Sequence, residues 1–343
     1  MATPNMPNVI QRVIDPHNPT GEVNLELLID LSKQGIPNND QVSRFFFWEL
    51  VLRIIPKDRS RWEYVVTSKS TLYWSWVEKY FSNFQDWIDL PIEKAEVKRK
   101  SFGLSSDDIM SEIHGDLTRM PNSQYLEFGF PLNEFSQHIR RIERILYIFS
   151  CLNSTYSYTQ GFNEIVIPIY YVSMTANRLM GKNDNDGEFH AFYIFQNLII
   201  GAGLGDIFLL TQNLDSIVSK FHLIETMCQI ADGSLYKRLF KSDKPLVPAQ
   251  FAFSWISLLF AQNFTLQNLL IVWDRILIKE FNVIEFAMAI AVAQLIESKQ
   301  NLMNAKNSNK LLNDVQNIRD LDPPTILARA EDVWDQYNSS LQT

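Results

Sequence analysis

Apolar residues recur at helical spacing through most of this sequence, and that period constrains the fold more than any other feature. In the stretch HIRRIERILYIFSCL, Ile139, Ile142, Leu146 and Phe149 fall on one face of a helix, while the arginines between them fall on the other. Alternating runs typical of half-buried strands are scarce. The sequence therefore predicts an all-α fold.

Loop-forming residues divide the chain into an N-terminal extension and one long domain. Residues 1–34 are rich in Pro and Asn at first and then contain a short helical pattern, NLELLIDLSKQ. We place the main domain at residues 35–340, beginning with the loop GIPNND, whose Asn and Asp residues favour a helix start. Within it we predict a charged connector over residues 91–110 and a polar loop over residues 181–187.

Charge and cysteine content limit the classes of partner and compartment. The 343 residues carry 31 Lys and Arg against 39 Asp and Glu, a formal net charge of −8. Nucleic-acid binding favours basic surfaces, so no nucleic-acid partner is expected, whereas a protein partner is compatible. The apolar stretches are interrupted by Asn, Gln and Asp, so no membrane span is predicted. No signal peptide is visible, and Cys151 and Cys228 are interpreted as free thiols in a reducing compartment.

The motifs of self-sufficient enzymes are missing from the sequence. There is no GxxxxGK[ST] phosphate loop, no HExxH zinc motif and no GxSxG nucleophile motif. The five histidines are scattered without a neighbouring cysteine, a pattern that does not favour a metal site. Two short polar stretches remain as candidates for function.

The first polar stretch is IHGDLTRMP. Ile113, Asp116 and Arg119 recur every three residues, so they share one face of a helix and Asp116 can pair with Arg119. Pro121 predicts that the helix ends just after the arginine, which leaves the guanidinium at a helix end where it projects. Taken alone, an exposed ion pair of little energetic value is the simpler interpretation.

The second polar stretch, STYSYTQGFNE, places the neutral amide of Gln160 between Tyr158 and Gly161. Gly161 allows the backbone to approach a partner closely, and Asn163 or Glu164 can serve the start of the following helix. An amide at the mouth of a site can orient a water molecule or a phosphate oxygen. The alternative is that Gln160 caps the next helix, and the stretch by itself favours that alternative.

Further motifs accompany these two stretches in a fixed order along the chain. Arg44 and Trp48 stand four residues apart, on one face of a predicted helix. Downstream, Trp255 lies in FAFSWISLLFAQNF and Trp273 lies in LLIVWDRIL.

The ordered set of motifs resembles the TBC-domain family, whose members are GTPase-activating proteins for Rab GTPases. The matching patterns are R-x-x-x-W at Arg44 and Trp48, I-x-x-D-x-x-R at Ile113, Asp116 and Arg119, and Y-x-Q-G at Tyr158, Gln160 and Gly161. The resemblance spans roughly residues 35–300 and is nearest to the short subgroup typified by family member thirteen, which has this domain alone. It implies a single two-lobed helical domain, with the finger motifs in its N-terminal half and a tryptophan-rich C-terminal half.

The resemblance also implies a role for each motif residue. Arg119 would be an arginine finger inserted in trans into a GTPase active site, and Gln160 a glutamine finger that orients the attacking water. Asp116 would position Arg119. The other motif residues would support the framework around both fingers: Ile113, Tyr158, Gly161, Asn163, Arg44 and Trp48.

The implied partner is a GTP-bound Rab-type small GTPase. That partner carries GTP and Mg²⁺, so no cofactor is expected for this chain itself, nor any hydrolase activity of its own. The implied setting is vesicle trafficking, with the protein cytoplasmic and acting at the surface of endomembranes through its partner. A non-catalytic scaffold of the same fold, which binds GTP-loaded Rab, is the alternative; the presence of both fingers favours the activator.

Three positions depart from the family pattern. Met120 stands where threonine is common, Ser157 where glycine is common, and Phe162 where methionine is common. None of the three changes Arg119 or Gln160, the two finger residues that the resemblance implies. Ser157 is the most consequential, because replacing a glycine restricts the loop that presents Gln160.

Overall fold

The computed structural model describes residues 21–33, 35–82, 87–90, 92, 105–120, 129–210 and 213–342. Throughout those ranges the regular structure is helical, without a β-strand, and one isolated bridge joins Glu22 to Asp58. The predicted all-α fold is therefore confirmed. The chain divides into two compact units, Met1–Gly201 and Ala202–Thr343.

The first unit contains all of the candidate site residues, on its α-helices and in the loop between two of them. Its described helices are α1 (Leu25–Ser32), α2 (Gln41–Val51), α3 (Trp62–Phe81), α4 (Asp107–Arg119), α5 (Phe135–Leu152), α6 (Phe162–Leu179) and α7 (Asp184–Gln196). Helix α6 packs along α7 and against α2, and α4 packs against α5. The short helix α1 falls where the pattern NLELLIDLSKQ predicts one.

Side-chain caps set where helices begin. Asp40 accepts a hydrogen bond of 3.1 Å from the backbone N–H of Ser43, which starts α2 directly after the loop GIPNND. Asn24 caps α1 in the same way, by accepting from the backbone N–H of Leu27 at 3.0 Å. These caps satisfy N–H groups that have no partner within the helix.

Two predicted loops are shorter than the sequence indicates. The polar loop over residues 181–187 is wrong beyond Asn183, because Asn183 and Asp186 form a capping box that starts α7. The charged connector over residues 91–110 is too long, because α4 begins at Asp107. Acidic residues in a first turn are favoured by the helix dipole, so both stretches suit helix starts.

A buried carboxylate joins α3, α5 and α7 within the first unit. Glu188 of α7 is wholly buried and accepts two hydrogen bonds from Arg144, at 2.6 and 2.7 Å. It also accepts from Arg141 and from the hydroxyl of Tyr73, each at 2.7 Å. Burial opposes the charge of Glu188, but the two guanidinium groups hold the pKa of its carboxyl below the ordinary value. The cluster therefore fixes α5, the helix that leads into the loop carrying Gln160.

A second buried carboxylate fixes α4 to α5. Glu143 of α5 is wholly buried and lies 2.6 Å from Nδ1 of His114 in α4. Its other oxygen accepts a hydrogen bond of 2.8 Å from Arg140. The helix that ends in Arg119 is thus tied to the core through a side chain five residues before the arginine.

The second unit is also helical. Its described helices are α8 (Gly205–Leu209), α9 (Leu214–Ala231), α10 (Gly233–Phe240), α11 (Ala249–Ser257), α12 (Leu266–Ile276), α13 (Val283–Glu297), α14 (Lys299–Met303), α15 (Ser308–Gln316) and α16 (Pro323–Ser340). Helix α13 is buried along most of its length and packs against α9 and α16. Trp255 and Trp273 are buried in this core, and the Trp273 indole donates to the carbonyl of Leu259 at 2.7 Å.

Three further features complete the description of the chain. Cys151 and Cys228 are free thiols, the first half-buried and the second buried. Within the described ranges, no helix is both long and apolar enough to cross a membrane. In the same ranges, no three His, Cys, Asp or Glu side chains are grouped so that they could hold a metal ion.

Candidate functional site

Arg119 is the last residue of α4, and its side chain is 67% exposed. Its guanidinium donates to Asp116 one turn earlier, so the predicted i, i+3 pair is present. The backbone turns extended at Met120, which leaves the arginine at the helix end as the sequence predicts. Pro121, to which we attributed that end, lies outside the described residues.

The opposite face of α4 anchors the helix in the core. Met110, Ile113 and Leu117 are buried, with Ile113 wholly so. The predicted common face is therefore wrong for Ile113, which is wholly buried and holds α4 in the core, whereas the Arg119 side chain is 67% exposed.

Gly115 is a site residue that the sequence reasoning missed. A Cβ atom added to Gly115 would lie 3.3 Å from Nη1 of Arg119, so the guanidinium rests directly against this glycine. The sequence could have indicated this contact, because Gly115 and Arg119 are four residues apart and such residues are neighbours on a helix.

Two residues of the loop between α5 and α6 have a left-handed backbone conformation. Ser157 has a φ of +48° and Gly161 a φ of +105°. The carbonyl of Asn153 accepts from the backbone N–H of Ser157 at 2.8 Å, so the loop folds back tightly after α5. Ser157 therefore occupies a conformation that glycine adopts far more readily, as the family pattern at this position predicts.

Gln160 is exposed at the end of this loop. The N-cap of α6 is Gly161, which has no side chain, so capping by Gln160 is wrong. Within the described part of the chain the side-chain amide of Gln160 makes no hydrogen bond.

Tyr158 joins the loop to α4. Its hydroxyl is buried and donates to Oδ2 of Asp116 at 2.8 Å, while Oδ1 of the same carboxylate accepts from Arg119. Burial raises the pKa of Tyr158, and the hydrogen bond to Asp116 raises it further, so the phenol remains a donor.

Asn163, in the first turn of α6, makes a second connection between the loop and α4. Its Oδ1 accepts from the backbone N–H of Gly161 at 3.2 Å and lies 3.5 Å from the Tyr158 hydroxyl. Its Nδ2 donates to the sulfur of Met120 at 3.3 Å. Asn163 is 5% exposed and Met120 9%, so water has little access to these hydrogen bonds.

Phe162, which stands where methionine is common in the family, fills a position in the core. It is wholly buried, with its ring centroid 5.7 Å from Phe149, 5.5 Å from Phe195 and 6.3 Å from Tyr158. These edge-to-face contacts hold the start of α6 against α5 and α7.

Arg44 and Trp48 are both wholly buried on α2. The Arg44 guanidinium donates to the carbonyl of Ile36 at 2.7 Å, and to Asn38 and Gln41 at 3.2 Å each. Arg44 thus organises the loop before its own helix, and α2 packs against α6. This burial suits the framework role predicted for both residues.

Residues 47–303 match the family described as the Rab-GTPase-TBC domain. This match covers most of the chain, so the chain belongs to the Rab-GTPase-TBC domain family, which confirms the predicted resemblance. It is 24% identical over 353 residues to TBC1 domain family member 13 of Mus musculus, covering 81% of this chain and 86% of that protein. With TBC1 domain family member 13 of Homo sapiens it shares 28% over 214 residues, covering 62% of this chain and 52% of that protein.

Solved structures give the same fold. The crystal structure of the Ypt/Rab-GAP domain of Gyp1p is similar with a TM-score of 0.69 and 19% identity, covering 97% of this chain and 100% of that chain. The Chlamydomonas flagellar RabGAP TBC domain is similar with a TM-score of 0.56 and 16% identity, covering 90% and 85%. At these identities the similarity shows the fold alone.

Proposed function

We propose that this protein is a GTPase-activating protein for a Rab-type small GTPase, to which it supplies Arg119 and Gln160 as an arginine finger and a glutamine finger. One observation carries the proposal: two exposed polar side chains stand on neighbouring segments that buried hydrogen bonds tie together. Groups held in this way are pre-organised to meet a partner's active site.

The contacts of Arg119 support its role as the arginine finger. Solvent reaches its ion pair with Asp116 from the arginine side and weakens it, and the carboxylate keeps its hydrogen bond from Tyr158 when the arginine leaves. Arg119 can therefore exchange this pair for contact with a phosphoryl oxygen at little cost. There its planar cation would stabilise the negative charge that develops as the phosphoryl group transfers, an effect of about 10³–10⁵ in kcat.

The environment of Gln160 supports a role in orienting water. An amide offers a donor and an acceptor without adding charge. Gln160 can therefore accept from the attacking water while donating to a neighbouring oxygen, beside phosphates that would repel a carboxylate. The left-handed Gly161 directly after it presents the amide at the surface.

The family name and the names of the relatives above support the choice of partner. We propose that the partner is the GTP-bound form, since GTP and the Mg²⁺ that accompanies it are the partner's substrate and ion. Because Rab-type GTPases act on membranes of vesicle traffic, the proposed place of action is the cytoplasmic surface of endomembranes.

The test is single-turnover GTP hydrolysis across a panel of Rab-type GTPases. The chain is assayed as wild type, Arg119→Ala and Gln160→Ala, with Arg319→Ala and Gln229→Ala as matched controls at exposed positions of the second unit. We expect the wild type and both controls to accelerate one or a few Rabs. We expect Arg119→Ala to lose about 10³-fold or more, and Gln160→Ala to lose activity strongly without weaker binding of GTP-loaded Rab.

Other outcomes would separate the alternatives. Binding of a GTP-loaded Rab without acceleration would establish the scaffold instead of the activator. Acceleration that survives Arg119→Ala in a stably folded chain would remove the finger assignment while leaving the class of function intact.

A further inference from the structure

Asn163 contacts the residue that follows each proposed finger. Met120 comes directly after Arg119, and Gly161 comes directly after Gln160. The Asn163 amide donates to the sulfur of Met120 at 3.3 Å and accepts from the backbone N–H of Gly161 at 3.2 Å. A single buried side chain therefore spans the two segments.

The Met120 sulfur is the hydrogen-bond acceptor for the side-chain amide of Asn163. A buried amide N–H needs an acceptor, and leaving it without one is costly. A thioether is a weak acceptor, but it lies within reach of Nδ2 here and satisfies that donor. Without an acceptor at this place the Asn163 amide would turn toward other partners and draw Gly161 with it.

We propose that Met120 is a positioning residue, whose sulfur acts through Asn163 to set the placement of Gln160 relative to Arg119. The inference rests on the proposed function. It gives a role to one departure from the family pattern, since Met120 stands where threonine is common. A displacement of about 1 Å between catalytic groups can cost on the order of 100-fold in rate, so a weak contact at this place can matter.

The test compares Met120→Leu with Met110→Leu. Leucine keeps the volume but removes the acceptor, and Met110 offers the same change at a buried position of α4, the helix that ends just before Met120. We expect Met120→Leu to lower kcat for activated GTP hydrolysis about tenfold with KM unchanged, and Met110→Leu to leave both unchanged. Met120→Gln, which restores an oxygen acceptor, is expected to recover most of the kcat.

Two kinetic outcomes would overturn the inference and are distinct from failure of the proposed function. If the wild type accelerates a Rab and Met120→Leu is as active as Met110→Leu, the positioning role is wrong. An equal loss in Met120→Leu and Met120→Gln would assign the effect to packing and not to the acceptor. A wild type that accelerates no Rab would overturn the proposed function, and this inference with it.

A stability cycle tests the same contact without any assay of activity. Urea unfolding is measured for Met120→Leu, Asn163→Ala and the double variant. If the sulfur and the amide interact, the midpoint lost in the double variant is smaller than the sum of the two single losses. Additive losses would contradict the contact on which the inference rests.

Discussion

The hydroxyl of Tyr158 lies 2.8 Å from Oδ2 of Asp116, across 42 residues of sequence. The other oxygen of that carboxylate accepts from Arg119, so the tyrosine fixes the group that orients the arginine. The carboxylate side chain is 11% exposed, and the phenol is one of the donors that compensate its burial. The contact links the two motifs I-x-x-D-x-x-R and Y-x-Q-G physically.

Tyr158→Phe should weaken both folding and activation. The change removes a donor from a nearly buried carboxylate, so we expect the free energy of unfolding to fall by about 1–2 kcal/mol. Because Asp116 is then less restrained, we also expect kcat for activated hydrolysis to fall about tenfold. Urea unfolding and single-turnover kinetics measure the two effects.

Tyr193→Phe is the matched control for this prediction. The Tyr193 hydroxyl donates to the carbonyl of Lys69 at 3.1 Å, in a part of the first unit that carries neither Arg119 nor Gln160. Its removal should cost similar stability without a change in kcat. Full activity of Tyr158→Phe would show that Asp116 needs no help in holding Arg119.

Ser157→Gly should stabilise the protein. A non-glycine residue in the left-handed region costs about 1–2 kcal/mol, and Ser157 has a φ of +48°. Glycine gains entropy in the unfolded chain, which offsets about half of that relief. We expect the free energy of unfolding to rise by about 0.5 kcal/mol, as measured by urea unfolding, with GTPase activation retained.

The control for Ser157 keeps the Cβ atom. Ser157→Ala removes only the hydroxyl, so the backbone strain remains and no gain in stability is expected. Equal stabilities of the glycine and alanine variants would mean that the loop does not hold the strained conformation in solution.

The local features of this fold follow from the sequence because they depend on spacing alone. The helical period predicts the all-α class, and the spacing of Asp116 and Arg119 predicts their pair. Local sequence patterns also gave wrong predictions, as where Gly187 and its polar neighbours suggest a loop but α7 begins. Glycine suits this helical position because a Cβ atom there would clash with the sulfur of Met174 and lie 3.0 Å from its Cα atom.

The long-range contacts of the site could not be predicted in this way. Tyr158 reaches Asp116 across 42 residues, and Asn163 reaches Met120 across 43. Such pairs depend on how α4, α5 and α6 pack, which no local pattern specifies. From the sequence, Met120 can be recognised only as a departure from a family motif. Its contact with Asn163 becomes evident only in the structure.

Arg44→Lys should destabilise the first unit although it keeps the charge. The wholly buried guanidinium donates to three acceptors around one loop, which a single ammonium on a flexible stem cannot reproduce. We expect the free energy of unfolding to fall by about 1–3 kcal/mol in urea unfolding. Activity per folded molecule should be retained.

Lys33→Arg, at an exposed ion pair, is a control that should leave stability unchanged. Selective loss of kcat in a stable Arg44→Lys would instead place Arg44 in the catalytic machinery.

His138 should make stability depend on pH between about 6.5 and 4. Its ring is stacked on Phe130 with centroids 4.4 Å apart, and Nδ1 lies 2.7 Å from the Tyr170 hydroxyl. Burial, and then the nearby charge of Arg178, lower the pKa of His138 from 6.5 to about 4, against the opposing effect of Asp184 and Glu134.

The sign of the dependence follows from which state binds the proton. Between pH 6.5 and 4 the unfolded chain protonates this histidine while the folded chain does not. Its contribution to stability is therefore complete above pH 6.5 and is lost as the pH falls to about 4, by at most about 3 kcal/mol. Urea unfolding across this range should give a shallower pH dependence for His138→Gln than for the wild type. His222→Gln, at a side chain that is 67% exposed, should keep the wild-type slope. Equal slopes for all three chains would mean that His138 titrates alike in the folded and unfolded states.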